Sequence, residues 1–365
     1  MEHLDPNGTY LGRMWSDTAD GPCVLRYENG VFTDITSKSA PTVRDILEMD
    51  DPVGYVRAAS GAQIEPNALL APCDLQAIKA CGVTFVNSML ERVIEERAAG
   101  DPARADALRG ELSDAIGGAI DDLIPGSEAA ARVKETLMSK GMWSQYLEVG
   151  IGPDAEVFSK AQAMSAIGPN GKVGLHPISK WNNPEPEIVL AVNSQGQVPG
   201  VVLGNDVNLR DVEGRSALLL GKAKDNNGSC AIGPLIRLFD DGFTMDDVRQ
   251  AELSLRVRGE DGFEMIGASS MNQISRDPLD LVAQTIGAHH QYPDGFMLFL
   301  GTLFAPTQDR DGEGQGFTHH VGDTVEISCS GLGVLQNTVA LSTQCPPWTF
   351  GVSHLMRNLA GRGLL

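Results

Sequence analysis

In the segment NNPEPEIVLAVNSQGQVPGVVLGNDVNLRDVEGRS, Glu185 and Glu187 stand two residues apart at the start of an apolar run, and Asp206 follows a second such run. Alternate side chains of a strand share a face, so a strand over 184–192 turns both glutamates to one side. A hairpin partner over Val198–Leu203 would bring Asp206 beside them. Three carboxylates converging without a matching basic cluster cannot all stay ionised in a pocket unless a cation neutralises them. Hard oxygen ligands that leave open positions suit Mg2+ or Mn2+, with Ca2+ as a surrogate. The same residues admit a plainer reading, in which the glutamates decorate the exposed face of an edge strand and Asp206 makes an Asx turn. Spacing does not decide between the two.

Other signatures fail. DRDGEGQGF at Asp309–Phe317 resembles part of a calcium loop, but Gly312 falls too early after Asp309 and no Glu closes the loop, so a mobile surface loop is expected. GPNGK at Gly168–Lys172 lacks the earlier glycine and the following Ser or Thr of a phosphate-cradling loop, and reads as a turn. GxSxG and HExxH are absent, and His289–His290 and His319–His320 have no partner at ligand spacing. The 6 cysteines are scattered with no CxxC pair, which points to thiols in a reducing compartment acting as small buried hydrophobes.

The elements that must position the acidic residues follow from patterning. A chain of 365 residues, 42% hydrophobic and 21% charged, is long enough for two domains and is globular in composition. Residues 1–75 mix short apolar runs with a helical segment near Thr42–Met49 and read as a small α/β N-terminal domain. Residues 76–149 are rich in Ala, Leu, Glu and Arg at helical spacing and read as a helical lid or connecting segment, broken at Gly100–Pro102 and Pro125–Gly126. Over 150–365 the pattern turns to β. Runs at Ile188–Val192, Val198–Leu203, Leu253–Arg256, Phe296–Leu300 and Thr324–Ser328 are separated by turn residues, with helices only near Thr244–Ala251 and Leu279–Ile286. A regular βαβ alternation is absent, so the expected class is α+β and a doubly wound nucleotide fold is disfavoured. The 28 Lys and Arg against 48 Asp and Glu leave a net charge of -20, a field that repels nucleic-acid backbones and anionic lipid surfaces. The opening residues lack a basic region followed by an apolar stretch, and the longest apolar run, near Gly295–Pro306, is too short to span a bilayer. A cytoplasmic protein without nucleic-acid or membrane partners is expected.

The run from Pro184 to Pro234, with PEPE, GNDV, RDVEG and a lysine six residues before CAIGP, resembles the catalytic core of the fumarylacetoacetate hydrolase family. HHVGDTVEISCSGLGVLQNTV at His319–Val339 is similar to that family's closing strands, and LGT at Leu300–Thr302 to its Gly-Thr turn. The resemblance implies a mixed β-sandwich roll for 150–365, a divalent metal on Glu185, Glu187 and Asp206, an active-site lysine at Lys224, substrate contact at Thr302, and a homodimer or higher homo-oligomer. Hydrolases of the family carry a lid motif whose His and Glu activate water. The equivalent stretch here, GVTFVNSMLERVIEE at Gly82–Glu96, has no histidine and offers Ser88, Arg92, Glu95 and Glu96. Glu213, where many hydrolases carry Gln, and SCAIGP at Ser229–Pro234 look like the branch that dehydrates 2-keto-3-deoxy sugar acids. That branch also has an E-x-F-x-K segment, matched by Glu156 and Lys160 in EVFSK.

The branch resemblance implies a Mg2+-dependent dehydratase converting a 2-keto-3-deoxy-pentonate, such as the xylonate or arabinonate, to 2,5-dioxopentanoate through a metal-bound enolate. Glu156 and Lys224 are the expected proton-transfer pair, with acid and base unassigned, while Ser88, Arg92, Lys160, Glu213 and Thr302 bind substrate. The alternatives are hydrolysis of an acylpyruvate or other 2,4-diketo acid at the same metal, and a non-catalytic metal-binding scaffold.

Overall fold

Short runs rich in Val, Ile and Leu between turn residues form sixteen strands among the described residues. The structure is a computed structural model and describes residues 2–65, 68–85, 89, 123–304, 306, 308–312 and 315–365. In chain order the strands are β1 Tyr10–Ser16, β2 Gly21–Glu28, β3 Val31–Asp34, β4 Ala62–Ile64, β5 Leu69–Leu70, β6 Ala77–Gly82, β7 Glu156–Ala161 and β8 Lys172–Leu175. They continue as β9 Pro186–Val192, β10 Gly200–Asp206, β11 Cys230–Leu238, β12 Glu252–Arg258, β13 Glu264–Ser270, β14 Phe296–Phe299, β15 Thr324–Cys329 and β16 Gly333–Leu341.

Two mixed sheets result. The larger runs β4-β3-β2-β1-β11-β10-β9-β14-β6-β7, with β5 on β1, and the smaller runs β13-β12-β15-β16-β8. Within them β14 pairs with β6, and β16 with β8, in parallel. β12 alternates buried and exposed residues, as a strand with one solvated face should. β9, β10 and β11 are buried at every position because both faces are covered. On one face Ile188, Leu190 and Leu203 pack with Leu255, Val257, Ile327 and Leu335 of the smaller sheet. On the other, Val189, Ala191 and Val202 share a core with Ile46 of α1 (Val43–Leu47) and Val56 of α2 (Pro52–Ala58).

The class is the expected mixture of sheets and helices. The segment before residue 75 nevertheless forms no sheet of its own, since β1 pairs antiparallel with β11 through Tyr10 opposite Arg237 and Leu11 opposite Ile236. α3 (Glu128–Ser139) and α4 (Gln145–Ile151) pack through Leu137, Leu147 and Ile151 around Met89 and Leu123. Between β10 and β11 the chain forms α5 (Arg210–Glu213) and α6 (Leu220–Lys224), so one short connection carries both Glu213 and Lys224. All six cysteines are buried and unbridged, and no helix of the described residues is long and apolar enough to cross a membrane.

Candidate metal centre and active site

The antiparallel register of β9 and β10 assembles the acidic cluster. Glu187 stands opposite Gly204, and the Asp206 amide donates to the Glu185 carbonyl at 3.1 Å. Positions 185, 187, 204 and 206 therefore share a face, whose continuation is the apolar row Val189, Ala191 and Val202. Only glycine fits at 204, where a Cβ would lie 2.3 Å from the Phe299 ring. Glu185, Glu187 and Asp206 are 4%, 2% and 1% exposed, which removes the edge-strand reading: β9 is central, not peripheral. One oxygen from each carboxylate lies within 4.8 Å of the others.

Two buried ammonium groups face this cluster. Lys224 Nζ lies 2.7 Å from Glu185 Oε2 and 3.1 Å from Asp206 Oδ2. Lys160 Nζ lies 2.7 Å from Asp206 Oδ1 and donates to the carbonyls of Val207 and Lys224. Burial alone would raise the Asp206 pKa, but the Lys160 and Lys224 charges outweigh it and hold the carboxyl below its usual range. Glu187 behaves oppositely. Burial and then the Asp206 and Glu185 charges push its pKa well up, against Lys224 and a 2.6 Å hydrogen bond from the Gly301 amide. Burial works against the Lys224 ammonium, yet Asp206 and Glu185 overcome it and raise its pKa well above the ordinary lysine value. In this setting Lys224 carries its proton.

The cluster opens into two adjoining chambers. An inner one of about 30 Å³ is lined by the three carboxylates, Lys224, Glu156, Glu213, Phe158, Thr302 and Cys81–Val83 at the end of β6. An outer one of about 190 Å³ is lined by Gln145, Tyr146 and Val149 of α4 and by Ala217 and Leu220. Glu156 and Glu213 line both and so stand at the junction. Three carboxylates and two ammonium groups, those of Lys160 and Lys224, thus meet at the inner end of the site. The triad's buried, all-oxygen donor set fits a hard divalent cation with positions left for a ligand.

The geometry thus gathers Glu156, Glu185, Glu187, Asp206, Glu213, Lys224 and Thr302 at one cavity wall. Lys160 is placed behind the wall, fully buried, with its ammonium turned to Asp206 and two carbonyls. Ser88, Arg92, Glu95 and Glu96 lie outside the described residues. Sequence reasoning missed Cys81, and it held Phe158 and Gly301 only as members of the E-x-F-x-K and LGT motifs, with no place of their own at the site. It also missed Asn208, whose Nδ2 donates to Glu185 Oε1 at 3.0 Å. Its spacing two residues beyond Asp206 was a usable signal. The stretch Asp309–Phe317 is not simply a surface loop as expected. The Arg310 side chain is 2% exposed and forks between Asp323 (2.6 Å) and Asp261 (3.1 Å), Phe317 is fully buried, and His319 Nδ1 lies 3.1 Å from the same Asp323.

Comparison with known proteins agrees with this geometry. A family described as "Fumarylacetoacetate (FAA) hydrolase C-terminal" matches residues 145–340. A probable 2-keto-3-deoxyxylonate dehydratase of Haloferax volcanii is 29% identical over 209 residues, 57% of this chain and 67% of that protein. A 2-dehydro-3-deoxy-D-arabinonate dehydratase of Saccharolobus solfataricus is 28% identical over 183 residues, 49% of this chain and 57% of that protein. The chain thus aligns with about two thirds or less of the length of these curated relatives. The fold is shared with a solved 2-keto-3-deoxy-D-arabinonate dehydratase complexed with magnesium and 2,5-dioxopentanoate, at a TM-score of 0.64 and 18% identity over 91% of this chain and 99% of that one. Both curated relatives are dehydratases, and the matched segment supplies every described residue of the two chambers except Cys81, Gly82 and Val83. The chain belongs to the fumarylacetoacetate hydrolase family.

Proposed function

We propose that this protein is a divalent-metal-dependent hydro-lyase that converts a 2-keto-3-deoxy-pentonate to 2,5-dioxopentanoate and water. The observation that carries the reading is the buried Glu185–Glu187–Asp206 triad opening onto a chamber whose junction holds Glu156 and Glu213. The names of both curated relatives support the substrate class, as does the absence of histidine from Gly82–Glu96.

Glu185, Glu187 and Asp206 would hold Mg2+ or Mn2+, which would supply Lewis-acid polarisation of the 2-keto group and so make the C3 protons acidic. Glu156, at the chamber junction, accepts the C3 proton, while Lys224, held as an ammonium, has the proton to give to the departing C4 hydroxyl. The C3–H and C4–O bonds break, a C3–C4 double bond forms and water leaves. Proton shifts then turn the C5 carbinol into an aldehyde and restore C3 and C4 as methylenes. Glu213 and Thr302 contact the polar groups of the sugar acid, and Ser88 and Arg92 bind its hydroxyls or charge.

Incubation with 2-keto-3-deoxyxylonate or 2-keto-3-deoxyarabinonate and Mg2+, with the aldehyde trapped and pyruvate assayed in parallel, tests the reading. The expected product is the aldehyde. Cleavage of a 2,4-diketo acid to pyruvate, at a rate matching or exceeding sugar-acid turnover, would replace the dehydratase with a hydrolase. Turnover of neither substrate would leave a metal-binding scaffold.

A further inference from the structure

The row of side chains that carries the triad extends one pair further. Asn183 and Asn208 exchange backbone hydrogen bonds of 3.1 and 3.0 Å, so they stand directly opposite one another, next along the ladder from Glu185 and Asp206. Residues two apart share a face, which sets both amides beside the carboxylate cluster. Both are buried, at 2% and 0% exposure, but they make different contacts. Asn183 Nδ2 donates to the Pro184 carbonyl, whereas Asn208 Nδ2 donates to Glu185 Oε1 at 3.0 Å.

Glu185 is thereby held at both oxygens, by the Asn208 amide at Oε1 and by the Lys224 ammonium at Oε2. These two holds differ in kind. An ammonium repels an incoming divalent cation and competes with it for the carboxylate, while a neutral amide donor leaves the charge of Glu185 intact and stays compatible with a cation on the other oxygen. We infer that Asn208 is a positioning residue that fixes the Glu185 carboxylate for a divalent cation and sets the affinity of the site for it. The inference rests on the metal-dependent reading above. Outer-shell hydrogen bonds of this kind are typically worth 10–100-fold in metal affinity.

The test is calorimetric titration of the whole chain, stripped with chelator, with Mn2+ and with Mg2+, alongside circular dichroism of the metal-free proteins. Asn208→Ala should bind the ions about 10–100-fold more weakly than the unmodified chain while keeping its fold. Asn183→Ala, at the neighbouring amide of equal burial, should change the affinity less than about threefold. Asn208→Ser, polar but too short to reach Glu185, serves where the alanine variant does not fold, and should show the same loss. Equal affinities for the Asn208 variants and the unmodified chain, or equal losses at both asparagines, would overturn the positioning role. No binding by the unmodified chain would instead sink the metal-dependent reading, an outcome distinct from the first two.

Discussion

Replacing Lys160 with methionine separates a buried structural cation from a substrate-binding one. The side chain is fully buried, and its ammonium meets Asp206 Oδ1 at 2.7 Å and the carbonyls of Val207 and Lys224. Methionine keeps the volume, so the packing cost is small. The electrostatic loss is larger, because breaking a buried pair by removing one partner costs about 3–5 kcal/mol. Lys224 still reaches Asp206 Oδ2 at 3.1 Å, which places the expected loss near the lower end, about 3 kcal/mol. That is a substantial part of the roughly 5–15 kcal/mol that holds a typical domain folded. Urea unfolding of Lys160→Met with chelator should show this loss, and saturating Mg2+ should restore part of it, by about 2.7 kcal/mol at a hundredfold excess over Kd. The sugar-acid KM measured at saturating Mg2+ should move little. An unchanged unfolding midpoint together with a KM raised tenfold or more would show that Lys160 reaches the substrate, as its motif resemblance implied, and would refute the buried cross-link.

Three further outcomes are expected. Glu185→Gln and Asp206→Asn should each abolish turnover and weaken Mn2+ binding measured by calorimetry while leaving the far-ultraviolet spectrum intact; full activity of either in a chelator-treated sample would discard the triad as the metal site. Because burial and neighbouring carboxylates raise the Glu187 pKa, a cation must displace a proton there, so affinity should rise with pH and fall on acidification; a flat Mn2+ Kd between about pH 5.5 and 8 would contradict this. Asp323, despite its burial, is held at about 2 rather than 3.8 by Arg310 and His319, so its contribution is present above about pH 4 and lost as pH falls toward 2, a term of roughly 2 kcal/mol. Arg310→Met should therefore narrow the stability difference between pH 7 and pH 3 measured by urea unfolding, and an undiminished difference would show that the pair is not its source.

Local pattern was enough to place Glu185 and Glu187 on one face and to propose Asp206 as their partner, because a strand has a period of two whatever surrounds it. It also located β9, β10, β12, β14 and β15 to within a few residues, since each is an apolar or alternating run bounded by turn residues. It left open whether the glutamates face water or a site. That depended on where β9 lies in the sheet, and β9 is central only because β10 and β14 flank it. β1 and β11 were not recognised: each is fully or nearly fully buried and lacks alternation, and each includes a buried arginine that local pattern reads as exposed. Arg13 lies against Asp74 and Arg237 against Asp240, partners that make their burial tolerable. The same holds for Arg310 with Asp261, and for Lys160 with Asp206. Apart from Arg237 and Asp240, which stand three residues apart, these pairs join segments distant in the chain, and a contact made only when two such segments meet leaves no period in either one; the pairing of Lys160 with Asp206 at the site was decided by tertiary packing.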